Sequence, residues 1–254
     1  LSGEFVFDDS RWIQGDRNIR SFDRLPSLLA GSTRPIWKLS FAANYAVGGL
    51  DVTGYHVVNG VIHLLAGITL FGVCRRTLRR SPLPQRYREA ADGIAFSIAL
   101  LWVVHPLLTQ AVTYVVQRSE SGMGLCLLAS VYASIRGFEA SDGRSRLWSA
   151  LAVVSCGIGM GTKEVMVVAP IVVWLHDRSF LSGSGPSALR GRPGLYAGLA
   201  ACWAIPFGLI GVDALFFGEM ARPDLETVSR LAYALTQPAI LLHYVRLALW
   251  PHPL

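Results

Sequence analysis

Residues 55–74 read YHVVNGVIHLLAGITLFGVC and are followed at once by RRTLRR, residues 75–80. A run of this length without an acid, lysine or arginine suffices to cross a bilayer, because a straight helical span needs about 20 apolar residues. One such run could also be the core helix of a water-soluble protein, so its neighbours decide the reading. Further apolar segments recur at 90–104, 122–135, 147–160, 165–175, 195–210 and 231–250, between short charged or Pro/Gly-rich breaks. Hydrophobic residues make up 52% of the chain and charged residues only 16%, against about 25% charged in soluble domains, and the mean hydropathy is +0.42. The expected fold is all-α: a polytopic helical membrane domain over residues 53–254, with about six to seven apolar helices. Residues 1–52 precede it as a loop with juxtamembrane helices.

The arginines orient these helices. Arg75, Arg76, Arg79, Arg80, Arg86 and Arg88 follow the first span, and alternate later loops hold Arg136, Arg144 and Arg146, then Arg178, Arg190 and Arg192. Loops of the opposite parity hold only Arg118, Lys163, Arg222 and Arg230. The positive-inside rule makes the first set cytoplasmic. Residues 1–50, the 105–120 loop, the 161–164 turn and the 213–230 loop are then expected outside. Arg11, Arg17, Arg20, Arg24, Arg34 and Lys38 argue against this for the first loop, and the remaining loops outweigh them.

The formal charge of +6 is accounted for by the cytoplasmic arginines and implies no nucleic-acid partner, although basic loops beside a bilayer attract anionic lipid. Cys74, Cys126, Cys156 and Cys202 lie in apolar segments without CxxC spacing and read as packing residues rather than disulfides or zinc ligands. The chain starts at Leu1 without a signal segment and stops at WPHPL, and both ends are expected to be cuts through a longer protein.

The polar residues expected outside form a short list: Asp8 and Asp9, Arg34, Tyr55, His56, Asn59, His63, His105, Arg118, Glu120, Lys163 and Glu164. Ionisable residues at membrane depth are costly and are functional candidates by default. Carboxylates facing fixed cations at a membrane surface suit transfer of a sugar from a lipid phosphate. The departing phosphate is an anion that Arg and Lys can hold, and a carboxylate can accept the proton of the acceptor hydroxyl. An ion-coupled transporter fits the same composition.

Five blocks carry a resemblance: GEFVFDDSRWIQGDRNIRS, STRPIWKLSFAANYAVGGLDVTGYHVVNGVIHLL, WVVHPLLTQAVTYVVQRSES, GMGTKEVMVVAPIVVWLHD and QPAILLHYVRLALWPHPL. In order, over nearly the whole chain, they resemble the membrane half of the transmembrane O-mannosyltransferases that carry TPR repeats, including their bacterial relatives. The resemblance implies the GT-C glycosyltransferase fold, catalytic acids in the first external loop, and a polyprenyl-phosphate-linked sugar as donor. The family's acidic pair falls on Asp8 and Asp9, with Asp8 as general base and Asp9 orienting the acceptor or a nearby cation. Arg34-Pro35 falls on the Arg-Pro element that faces the lipid phosphate. Arg118 and Glu120 match the second external loop, which begins at His105-Pro106. Lys163, Glu164, His105 and His56 complete the expected substrate-binding set. No metal ligands are expected from His56, Asn59 and His63, though some GT-C relatives use a divalent ion, so a divalent metal stays open. The expected partners are membrane lipid, the lipid-linked donor and a protein or glycan acceptor. The expected location is the bacterial cytoplasmic membrane, or the endoplasmic reticulum membrane in a eukaryote, with the site on the non-cytoplasmic face. The 34-residue repeats and the later spans of the family are not visible.

Each candidate also has a plainer reading. One Asp could cap the helix starting near Ser10, Arg34 could snorkel to the interface, and Lys163 could pair with Glu164. His105 could do no more than end its span before Pro106. Residues 107–116 could form a helix lying on the membrane surface. Asn59 and His63, with His56 on one helix face, could serve interhelical hydrogen bonding. Residues 231–250 could lie along the outer surface. Other functions open to the chain are a transporter or lipid-sugar flippase, which would show interrupted helices in repeated halves, and a non-catalytic scaffold. A scaffold would leave Asp8 and Asp9 without a cation opposite.

Overall fold

The computed structural model describes residues 3–29, 32–80, 84–141, 143–210 and 230–252, all-α with no strand among them. In the first loop, turns at Ser10–Gln14, Arg17–Arg20 and Phe22–Arg24 lead to α1 (Leu25–Leu29) and α2 (Pro35–Gly48). Then come α3 (Val52–Arg80), α4 (Gln85–Glu89), α5 (Ala91–Val103), α6 (Thr109–Thr113), α7 (Arg118–Glu139) and α8 (Ser145–Met160). The chain continues through α9 (Ala169–His176), α10 (Gly185–Gly191), α11 (Pro193–Ala201), α12 (Ala204–Ile210) and α13 (Arg230–Leu249).

The helix built on the opening stretch is turned inside out relative to a soluble helix. On α3 the buried face carries Tyr55, His56, Asn59 and His63, while Val61, Leu64, Leu65 and Ile68 are exposed. That pattern is stable where the surrounding solvent is hydrocarbon and polar groups find partners within the protein. Its 29 residues rise about 43 Å, more than the roughly 30 Å of a hydrocarbon core. Among the described residues α3 is the one single helix that meets the length and composition of a span. The expected segments at 90–104 and 165–175 are helical but bent. α5 meets Pro106–Thr113 at 54°, and Glu164–Leu181 meets α10 at 106°, so each pair is a broken span or a re-entrant loop. Pro106 explains the first break, since it has no N–H to continue the ladder.

α7 packs along α8 and α3, α3 packs on α5, and α11 closes against α8 and α9. Small residues permit the close approaches: a Cβ on Gly67 would run into the Val103 side chain, and one on Gly198 would lie 2.7 Å from Val153 Cγ2. Met160, Met166, Val173 and Leu199 are buried in the centre of this bundle. A second cluster, with Ile13, Trp37, Phe41, Tyr55 and Val115, fastens the first loop to the ends of α3 and α7.

The loops sort to two ends. At one, the Ile36 amide donates to the Gly161 carbonyl at 2.9 Å and the Trp37 indole donates to the Val116 carbonyl at 3.1 Å. At the other, Arg76 and Arg80 meet Glu139, Thr77 lies 2.8 Å from His176 Nε2, and Arg192 pairs with buried Asp177. The two ends match the two charge classes of loop read from the sequence. Residues 213–229 of the expected fourth outer loop lie outside the described residues. α13 is mostly exposed along its length and touches the first end through its Ala248 carbonyl, 3.1 Å from His105 Nε2.

Candidate functional site

Asp8 and Asp9 part company where the chain turns. Phe7 has φ +48°, unusual for a non-glycine residue, and Asp9 precedes a wide, π-type helical turn over Ser10–Gln14. Asp9 is fully buried. It stands at the cap position but caps nothing by its side chain. Instead Oδ1 accepts from the Val116 amide at 2.8 Å, and Oδ2 accepts from the Val6 amide at 3.2 Å. Burial pushes its carboxyl above the usual range, against the pull of those two amides and of His56. Asp9 is thus a clasp between the first loop and the loop that precedes α7.

Asp8 is exposed and opens onto a pocket of about 430 Å³ lined by Trp12, Arg34, Lys38, Tyr114, Glu120 and Lys163, with Thr33, Gln117 and Ser119 among the others. Its backbone N–H donates to the Tyr114 hydroxyl at 3.2 Å. Burial first, and the charges of Asp8 and Asp9 after it, raise the Tyr114 phenol above its usual range against the pull of the Asp8 backbone hydrogen bond.

The pocket's cations are held in place by carboxylates. Arg34 grips Glu164 through Nε at 3.0 Å and Nη2 at 2.7 Å, a two-point contact that fixes the guanidinium plane. Lys163 pairs with Glu120 rather than with its neighbour Glu164. Lys38 lies 3.5 Å from Asp16 and 5.5 Å from the Trp12 ring. The first-loop cations that opposed the orientation reading are in part these paired pocket residues.

The structure therefore brings together Asp8, Arg34, Glu120 and Lys163, with Glu164 behind Arg34, and places the other candidates elsewhere. Arg118 is buried under the pocket: it donates to Asn59 Oδ1 at 2.7 Å, the Ser40 carbonyl at 3.1 Å and the Tyr55 carbonyl at 3.1 Å. Its guanidinium also lies 4.7 Å from the Phe41 ring, so it ties α2, α3 and α7 together. His56 lines a separate cavity with Glu4, Phe7 and Gln110 and lies 3.4 Å from the Val112 carbonyl. His105 accepts from the Leu107 amide at 3.3 Å, capping the turn at Pro106–Leu108. Asn59 and His63 hydrogen-bond the Val115 carbonyl and the Val103 carbonyl, at 3.3 Å and 2.9 Å. Among the described residues no three His, Cys, Asp or Glu side chains gather as a metal-ligand set. Among the described residues the pocket's lining includes two carboxylates, Asp8 and Glu120, with Glu164 and Asp16 behind its cations.

Lys38, Trp12 and Tyr114 were not among the sequence candidates. Lys38 carried a legible signal, since it lies one helical turn beyond Arg34 on α2 and so on the same face. Tyr114 carried none, because its place depends on how the 105–117 loop folds over the first loop.

Three of the curated proteins to which the chain is similar are protein O-mannosyl-transferases. The chain is 33% identical over 150 residues to the protein O-mannosyl-transferase Tmtc1 of Drosophila melanogaster, covering 54% of the chain and 16% of that relative. It is 29% identical over 195 residues to Tmtc2 of the same fly, 70% of the chain and 20% of the relative. It is 30% identical over 199 residues to mouse TMTC2, 70% of the chain and 22% of the relative. The chain thus spans about one fifth of the length of the curated relatives it matches. No protein-family profile and no solved structure matches it.

Proposed function

The chain belongs to the protein O-mannosyl-transferase family, and we propose that it forms the donor-binding and proton-accepting part of a membrane glycosyltransferase. The transferred sugar is mannose, after the names of the relatives. The donor is a polyprenyl-phosphate-linked sugar, and the acceptor is a protein Ser or Thr hydroxyl. The reading is the same in a bacterial cytoplasmic membrane and in the endoplasmic reticulum: the pocket opens on the non-cytoplasmic face, and the lipid tail stays among the helices.

One observation carries the proposal: the carboxylate of the pair that is not tied to backbone amides, Asp8, shares a pocket with Arg34, Lys38 and Lys163. In the reaction the acceptor oxygen forms a bond to the sugar's anomeric carbon while the bond from that carbon to the phosphate oxygen breaks. Asp8 takes the acceptor's proton, and the phosphate leaves with the electron pair. Arg34 and Lys163 stabilise the charge that grows on it. A phosphate would share Lys163 with Glu120, and the Trp12 and Trp37 rings, 5.7 Å apart, give the sugar an apolar wall.

Donor kinetics of the full-length parent protein test this. With polyprenyl-phosphate mannose, Lys163→Met and Arg34→Gln are each expected to raise the donor KM by about tenfold or more, the value of one charge-assisted hydrogen bond. A donor KM unchanged in both would place the phosphate elsewhere.

A further inference from the structure

At the end of the bundle opposite Asp8, a second polar pocket of about 330 Å³ is lined by Arg76, Arg136, Glu139, Arg144 and Trp148, together with Ala140 and Ser141. The proposed transfer reaction has no use for it. It is formed where the last turns of α3 and α7 meet the first turn of α8, and the Ser145 hydroxyl, donating to the Gly137 carbonyl at 2.8 Å, fastens α8 to α7 there.

The cations in this pocket are braced. Arg76 pairs with Glu139 and lies 5.4 Å from the Tyr132 ring. Arg136 lies over the Trp148 ring, with 4.6 Å between guanidinium and ring centroid. Arg80 reaches Glu139 at 3.1 Å. Arg76 and Arg80 thus share Glu139, and Arg136 and Arg144 line the pocket beside it, three arginines to one carboxylate among its described lining residues. Excess guanidinium groups held planar by aromatic rings and a shared carboxylate suit a phosphate, which accepts two parallel hydrogen bonds from one arginine.

The surroundings favour a lipid as the carrier of that phosphate. The pocket lies at the arginine-rich end of α3, the helix able to cross a bilayer, where headgroups sit. Phe138, next to Glu139, and Leu147 and Leu151, either side of Trp148 on α8, are exposed and offer an apolar track for acyl chains running along the bundle. We propose that this pocket binds the phosphodiester headgroup of an anionic phospholipid, with Arg136 and Arg144 as its principal ligands and Trp148 as its floor.

Native mass spectrometry of the full-length protein, released from micelles containing equal phosphatidylglycerol and phosphatidylcholine, tests the assignment. The wild type is expected to retain phosphatidylglycerol roughly tenfold over phosphatidylcholine. The Arg136→Gln/Arg144→Gln variant should bring the ratio close to one. The Arg75→Gln/Arg79→Gln variant, which removes equal charge from the same end outside the pocket, should keep it. Equal retention of the two lipids by the wild type, or an equal loss in both variants, would overturn the pocket. A third arm adds millimolar inorganic phosphate. An unchanged ratio supports the lipid, and displacement of phosphatidylglycerol would make free phosphate the ligand and overturn the lipid assignment.

Discussion

Two neighbouring aspartates do different work because the chain reverses between them. Asp9 spends both oxygens on amides, one of them 107 residues away in sequence, whereas Asp8 faces the pocket. In the Asp9→Asn variant an NH2 group would confront one of two buried N–H donors, so one hydrogen bond is lost with its partner left unsatisfied. The expected cost is about 1–3 kcal/mol, readable as a lower midpoint of thermal unfolding in detergent. The pH dependence has a fixed sign. Because burial raises the Asp9 pKa in the folded protein, the folded state keeps a proton that the unfolded chain has released. Stability therefore falls as pH rises from the ordinary value near 3.8 through the raised one, and levels off above it. Asp9→Asn should flatten that slope, and thermal midpoints measured across the acid range check this. The pair itself is legible in the sequence, standing out after an apolar run. Its division of labour rests on the Val6 and Val116 amides, which no local pattern announces.

At the scale of elements, the pocket depends on a joint between α2 and the turn after α8. The Ile36 amide at the start of α2 donates to the Gly161 carbonyl, and a Cβ on Gly161 would stand 2.7 Å from Ile36 Cγ1. Gly161→Val should push α2 off the turn, with a loss of about 1–3 kcal/mol in stability from overpacking and a higher donor KM, because Arg34 and Lys163 separate. A Gly161→Val protein with wild-type stability and donor KM would show that the joint does not matter. The existence of the helices is legible from apolar runs alone, since periodicity and length are local. The places of their bends are marked too, by Pro106 in the first and by Gly183 (φ +72°) with Pro186 in the second, but the 54° and 106° angles are not, because packing sets them. The pairing of Lys163 with Glu120 and of Glu164 with Arg34 likewise escapes the sequence, where adjacency suggests that Lys163 and Glu164 face each other. Neighbouring residues in an extended turn point apart, and Lys163 is extended, with φ −156° and ψ 140°.

For the whole molecule, two polar centres stand at opposite ends of a helical bundle that crosses a membrane. Thr33→Cys and Arg80→Cys, introduced singly into the full-length protein freed of its other accessible cysteines, should react with an impermeant maleimide from opposite sides of sealed vesicles. Reaction from the same side would contradict the arrangement. The expectation of opposite sides comes from the alternation of arginine-rich and arginine-poor loops, because charge is sorted at insertion rather than by packing. The composition of the pocket is not legible in that way, since it draws on the first loop, the 105–120 loop and the 161–164 turn at once. The central claim is that Asp8 takes the acceptor's proton while Asp9 holds the loops, and mannosyl transfer by the full-length parent measures it most directly. With donor binding retained and expression matched, Asp8→Asn is expected to lower kcat by about 10²–10⁴-fold, the usual worth of a positioned base, without loss of thermal stability. Transfer at the wild-type rate by Asp8→Asn would contradict the account.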